Sequence, residues 1–190
     1  MTIQELFIRS NQELKKVVDQ ISEDQWNITL PTGMSRNPST IRQAVNYHTY
    51  DDAWVPDVLA GKTKEQVGDA YDFLLSAKDT KTEYSKYNAL AVEAVRSFDD
   101  LEKNVHLSYG DFPAHDYLQH VTSFRAFRCY DLAQLLGFET KLPNDFVQAL
   151  WDEYSPVIED YRTLGVFPPA VKVPEDADLQ TKLLGLAGRR

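Results

Sequence analysis

The chain has 190 residues, 43% of them hydrophobic and 26% charged, a balance that fits one globular domain able to bury a core without covalent staples. Its formal net charge is −9 and no basic run is long enough to follow a phosphate backbone, which argues against nucleic acid as a partner. A lone cysteine, Cys129, excludes an intramolecular disulfide and fits a reducing compartment. The N-terminus lacks the basic and apolar regions of a secretory leader, and no apolar run nears the ~20 residues that span a bilayer. A cytoplasmic protein without a membrane partner is the expectation.

In chain order, Thr2 and Glu5 form a capping box ahead of Ile3, Phe7, Leu14, Val17 and Ile21, one stripe of an amphipathic helix. Residues 22–38 read as a long connection, with Trp26 and Leu30 tucked against the helices. A second box, Thr40 with Gln43, opens a helix that runs to about Leu59 and stops before Gly61. Pro56 lies inside it and predicts a kink or a break, because its nitrogen cannot donate to the carbonyl of Asp52. Residues 61–80 are ambiguous, with one helical turn around Ala70–Leu75.

A third helix carries Tyr84, Tyr87, Ala91, Ala94, Val95 and Phe98 on one side. Val105, Leu107 and Tyr109 then alternate with His106 and Ser108, which predicts a short extended segment closed by Gly110 and Pro113. The fourth helix spans about Ala114 to Leu136, with Gly137 as its C-terminal cap. A fifth begins at Pro143 or Asn144, carries Val147, Leu150, Trp151, Tyr154, Ile158 and Tyr161, and bends at Pro156. An extended tail after Pro169 leads to a last short helix around Leu179–Leu186. The expected architecture is all-α: an antiparallel four-helix bundle in a single domain, its core about 1–165 and a small C-terminal helical extension over 166–190.

The functional signal is polar residues on apolar faces. The second helix places His48 and Asp52 in a stripe with Ile41, Val45, Val55 and Leu59. On the fourth, Arg128 and Asp131 share a stripe with Tyr117, Val121, Phe124 and Leu135. Residues four apart stand on one side of a helix, about 6 Å along its axis. Buried charges must pair, bind a ligand or face water, since leaving one unpaired costs several kcal/mol. Two readings stay open here: a structural Arg–Asp pair with a hydrogen-bonded histidine, or a pocket. His106 and His115 read as surface residues and Cys129 as inert packing. No Walker A loop, dinucleotide-binding glycine fingerprint, His-Glu-x-x-His or nucleophile elbow is present.

Four stretches carry a family resemblance: His48 followed by Val-Leu-Ala-Gly ending at Gly61; VHLSYGDFP over Val105–Pro113; RCYDLAQLLG over Arg128–Gly137; and VKVPEDADLQTKLLGLAGR at the C-terminus. Together they resemble the DinB-like superfamily, in its mycothiol-dependent maleylpyruvate-isomerase-like branch of actinobacterial type. The resemblance implies a four-helix core with a divalent metal between helices, which in active members activates a low-molecular-weight thiol such as mycothiol. It implies three ligands: a histidine on the second helix, and an acidic residue and a histidine four apart on a later one. His48 matches the first, and Asp131 matches the aspartate of the family's His-Gly-Trp-Asp pattern, with Tyr130 in place of its tryptophan. At the other two ligand positions stand Phe124, which has no donor atom, and Arg128, which keeps its proton and offers no lone pair.

The leading expectation is therefore a degenerate metal site. His48, Asp52, Phe124, Arg128 and Asp131 would line a pocket for a small molecule or thiol adduct, with Arg128 paired to Asp52 or Asp131 and no cofactor. One alternative is an active zinc- or nickel-dependent thiol transferase or isomerase with rearranged ligands His48, Asp52 and His120. The other is a purely structural or interaction bundle. Exposed aromatic surface leaves room for a homodimer.

Overall fold

The structure, a computed structural model, describes residues 1–32, 34 and 39–190. Residues 33 and 35–38, part of the connection expected over 22–38, lie outside the described residues. The described chain is mostly helical, with eight α-helices and one two-stranded antiparallel sheet. It divides into two compact units, Thr2–Glu139 and Thr140–Arg190, so the helices after Pro143 group with the C-terminal tail.

Local chemistry accounts for most element boundaries in the first unit. Helix α1 (Ile3–Gln20) starts at the Thr2 capping box: the Thr2 N–H donates to Glu5 Oε2 at 2.8 Å and the Glu5 N–H to Thr2 Oγ1 at 3.2 Å. Helix α2 (Ile41–Ala60) starts at the matching box of Thr40 and Gln43 and stops at Gly61, which takes φ +89°. Of the kink or break expected at Pro56, no break occurs: α2 runs from Ile41 to Ala60 with Pro56 inside it. A mid-helix proline costs about 3 kcal/mol in isolation, and here the buried neighbours Val55, Val58 and Leu59 hold the turn in the core.

Between Gly61 and Thr80 lie the short helix α3 (Lys64–Val67), capped by Thr63, and a 3-10 turn over Asp72–Ser76. Sequence reading found only a turn there. Helix α4 (Thr80–Arg96) is capped by Asp79 and buries Tyr84, Tyr87, Ala91 and Val95. The alternating stretch is a hairpin, β1 (Asn104–Leu107) with β2 (Gly110–Pro113), in which Val105 faces Phe112 and His106 faces Asp111. Helix α5 (Ala114–Leu136) follows directly and is capped by Gly137 at φ +71°.

Helix α1 packs on α4 and α5, α2 packs on α4 and α5, and the hairpin touches α2 and α5. Phe7, Val55, Val95, Val105 and Leu118 form the fully buried centre of this core. Trp26 and Leu30 are buried as expected.

In the second unit, α6 (Asn144–Tyr154) and α7 (Ile158–Thr163) replace the single bent helix expected around Pro156, and α8 (Leu179–Leu186) packs on α6. The tail runs against α8 at Gly185: the Val171 N–H donates to the Gly185 carbonyl at 2.8 Å, and a Cβ on Gly185 would come within 2.9 Å of the Val171 carbonyl oxygen. Among the described residues no helix is long and apolar enough to cross a membrane.

Candidate functional site

Four helices contribute to a polar interior. Asp52 on α2 and Arg125 on α5 both have wholly buried side chains and form an ion pair. Asp52 Oδ1 accepts from Arg125 Nε at 2.9 Å and also from Nη2, while Nη1 donates to the Val121 carbonyl at 2.7 Å. The guanidinium lies 5.2 Å from the centre of the Phe7 ring of α1. Asn88 of α4 donates to Asn11 Oδ1 at 2.7 Å and reaches Asp52 Oδ2 at 3.4 Å and the Tyr84 hydroxyl at 3.3 Å. Asn11 in turn donates to the Phe7 carbonyl at 3.1 Å.

Electrostatics within this cluster are set first by burial. Burial pushes the Asp52 carboxyl up, against the opposing pull of the Arg125 charge and of its hydrogen bonds to Arg125 and Asn88. Burial also works against the charge on Arg125, but Asp52 and Asp51 more than offset it and hold the guanidinium protonated. Paired in this way, the two charges avoid the several kcal/mol that either alone would cost in the interior.

His48, one turn before Asp52 on α2, is 5% exposed, and its Nδ1 has no hydrogen-bond partner among the described residues. Burial holds its pKa well below the ordinary imidazole range, and the positive charges of Arg128 and Arg125 hold it lower still. The ring is therefore neutral at physiological pH and offers one lone pair and one N–H.

Asp51 is the residue that periodicity missed. It is partly buried, and desolvation raises its carboxyl to about 7; Arg125 pulls the value down and Asp52 pushes it up. Asp51 also raises the phenols of Tyr109, in the hairpin turn, and Tyr117, on α5, both already raised by burial.

The expected residues separate on inspection. His48 and Asp52 are interior, as the violated stripe implied. Asp131 is 8% exposed and also interior. Phe124, however, is 48% exposed. Arg128 is only partly buried, with Nη1 donating to the Met34 carbonyl at 2.9 Å, and it is Arg125 that takes the pairing with Asp52 expected of it. The buried arc of α5 passes through Leu118, Arg125, Ala126, Cys129 and Leu132 as well as Tyr117 and Asp131, so the true inward face is turned about one residue from the stripe read in sequence. The missed signal was Arg125 itself, four residues before Cys129 and seven before Leu132.

His120 does not join His48 and Asp52. Its Nδ1 lies 3.2 Å from the Tyr109 hydroxyl and its ring packs on Tyr109 and Phe112 of the hairpin. Among the described residues no three His, Cys, Asp or Glu side chains gather as a metal-binding group. Asp52 Oδ1 is engaged by Arg125, and the charges of Arg128 and Arg125 both act on His48. Cys129 is buried, its thiol donating to the Ala126 carbonyl at 2.9 Å. His106 and His115 have half-exposed side chains beside Asp111 and Asp116. Elsewhere, Tyr50, Lys64, Glu65, Gly68, Asp69 and Asp72 line an open recess of about 500 Å³.

No protein-family model, no curated protein and no solved structure matches the chain significantly.

Proposed function

We propose that the long helices α1, α2, α4 and α5 make an antiparallel four-helix bundle of the DinB-like, maleylpyruvate-isomerase-like kind, with its metal centre lost and a small organic molecule or thiol adduct bound beside His48. The reading rests on His48: a buried, neutral imidazole whose Nδ1 is unpartnered among the described residues, close to two guanidinium groups. A buried polar atom without a partner is costly, about 1–3 kcal/mol, and a ligand that hydrogen-bonds to it recovers that cost. The positive charge near the imidazole disfavours a metal cation and favours a polar or electron-rich ligand group. The single, buried cysteine supports a cytoplasmic setting.

Metal content of protein purified without chelator, together with NMR of the His48 ring in the presence of small thiols and organic fragments, tests this reading. Metal-free protein whose His48 signals shift on ligand addition supports it. Stoichiometric zinc or nickel that disappears in His48→Ala overturns it.

A second reading, a non-catalytic structural module, draws on the Asp52–Arg125–Asn88–Asn11 network, which satisfies its own charges. It expects His48 signals unmoved by every ligand tried.

A further inference from the structure

Five aromatic rings form an unbroken row in the first unit. Tyr47, Tyr50 and Trp54 follow one another at three- and four-residue steps along one side of α2. The row continues to Tyr71, just before the 3-10 turn, and ends at Tyr87 of α4. Successive ring centres lie 6.3, 6.0, 5.8 and 6.1 Å apart, which is contact distance for aromatic side chains. Tyr47 is 58% exposed and Tyr87 only 8%, so the row leads from solvent into the interior.

Tryptophan and tyrosine give up a single electron more readily than most side chains, and rings in contact exchange it quickly because their π orbitals overlap. What differs along the row is the fate of the proton. A tyrosine that loses an electron becomes a strong acid, and its radical lasts only where a base takes the proton. Tyr71 has such a base: its hydroxyl donates to Asp57 Oδ2 at 2.8 Å, within reach for direct transfer. Burial works to raise the Asp57 carboxyl, but Lys62 Nζ, 2.7 Å from Oδ1, and Tyr71 itself hold it below its ordinary value, so it stands ionised. Burial and Asp57 together raise the Tyr71 phenol to about 12, so it keeps its proton until it is oxidised. Trp54 offers no such outlet. Its Nε1–H is buried without an acceptor among the described residues, so its radical cation retains the proton and passes the charge on. At Tyr87 the Lys86 ammonium lies 4.8 Å from the ring centre and repels a positive ring. Charge entering the row at Tyr47 therefore comes to rest at Tyr71.

We propose that Tyr71 is a redox-active tyrosine, oxidised by one electron through Tyr47, Tyr50 and Trp54, with Asp57 as its proton acceptor. The electron travels outward along the row to a one-electron oxidant in solution, which is thereby reduced. The Tyr71 O–H bond breaks, its proton moves to Asp57 Oδ2, and a neutral phenoxyl radical remains. The assignment is independent of the pocket beside His48.

Flash-generated tris(bipyridine)ruthenium(III) supplies the oxidant to the full chain, and freeze-quench electron paramagnetic resonance with transient absorption reads the radicals. The expected result is a long-lived tyrosyl radical that is lost in Tyr71→Phe and kept in Tyr109→Phe, whose ring is 61% exposed and outside the row. Trp54→Phe should slow its appearance, and Asp57→Asn should shorten its lifetime because a carboxamide does not take the proton. Circular dichroism establishes that the variants fold. A long-lived radical that survives Tyr71→Phe, or none in the native protein, overturns the assignment. An unchanged lifetime in Asp57→Asn overturns the proton transfer, and an unchanged rise in Trp54→Phe overturns the relay.

Discussion

Asp52 on α2 and Arg125 on α5 are joined across the interior by a two-pronged ion pair, both side chains fully out of contact with solvent. Such a pair is costly to break from one side and cheap to replace from both. Asp52→Ala or Arg125→Ala alone strands a buried charge and is expected to destabilise the fold by about 3–5 kcal/mol. The double replacement Asp52→Leu with Arg125→Met should recover most of that loss. Urea unfolding of the two single variants and the double variant measures it; a double variant as unstable as the sum of the singles would contradict the pairing.

Asp51 gives stability a pH dependence of the opposite sign to that of most carboxylates. Its carboxyl is raised in the folded chain to about 7 from an ordinary value of 3.8. Between those limits the folded state holds more protons than the unfolded state, so stability falls as pH rises through the window. Asp51→Asn should therefore stabilise the protein at about pH 8, by on the order of 1 kcal/mol or more, and change little at about pH 4. Thermal unfolding across pH checks this, and an Asp51→Asn effect that grows toward acid would contradict it.

His48 acts in the other direction. Its folded pKa lies well below the ordinary 6.5 because of burial and the charges of Arg128 and Arg125. Below 6.5 the unfolded chain takes up a proton that the folded chain refuses, so stability is lost as pH falls from that point. NMR of the imidazole should show a neutral ring at about pH 6, one unfolded-state pKa being near 6.5. An imidazolium at that pH would contradict the burial described here.

Phe124 and Leu118, both apolar residues of α5, should differ sharply. Phe124 is 48% exposed whereas Leu118 is fully buried in the core. Leu118→Ala should cost about 2–5 kcal/mol and Phe124→Ser less than about 0.5 kcal/mol. Chemical denaturation of the two variants reads the orientation of α5 directly; a large loss in Phe124→Ser would place that ring inside after all.

The helix starts could be read from the chain because their causes are local. Thr2 with Glu5 and Thr40 with Gln43 satisfy backbone groups three residues away, and Gly61 and Gly137 end their helices by a φ that other residues rarely adopt. The short extended stretch before Pro113 was legible from alternation, and His48 and Asp52 were legible as polar intruders in an apolar stripe. Tertiary structure alone decided which way α5 faces. That helix is buried around most of its circumference, from Tyr117 and Leu118 through Arg125 to Asp131 and Leu132, so its residues carry little contrast from which to read an inward side. The choice of Arg125 over Arg128 as the partner of Asp52, and the exclusion of Asp51 from that pair, follow from distances between separate helices. Those distances depend on how side chains from α1, α2, α4 and α5 fill a common interior at close-packed density, a condition that no single helix's periodicity contains.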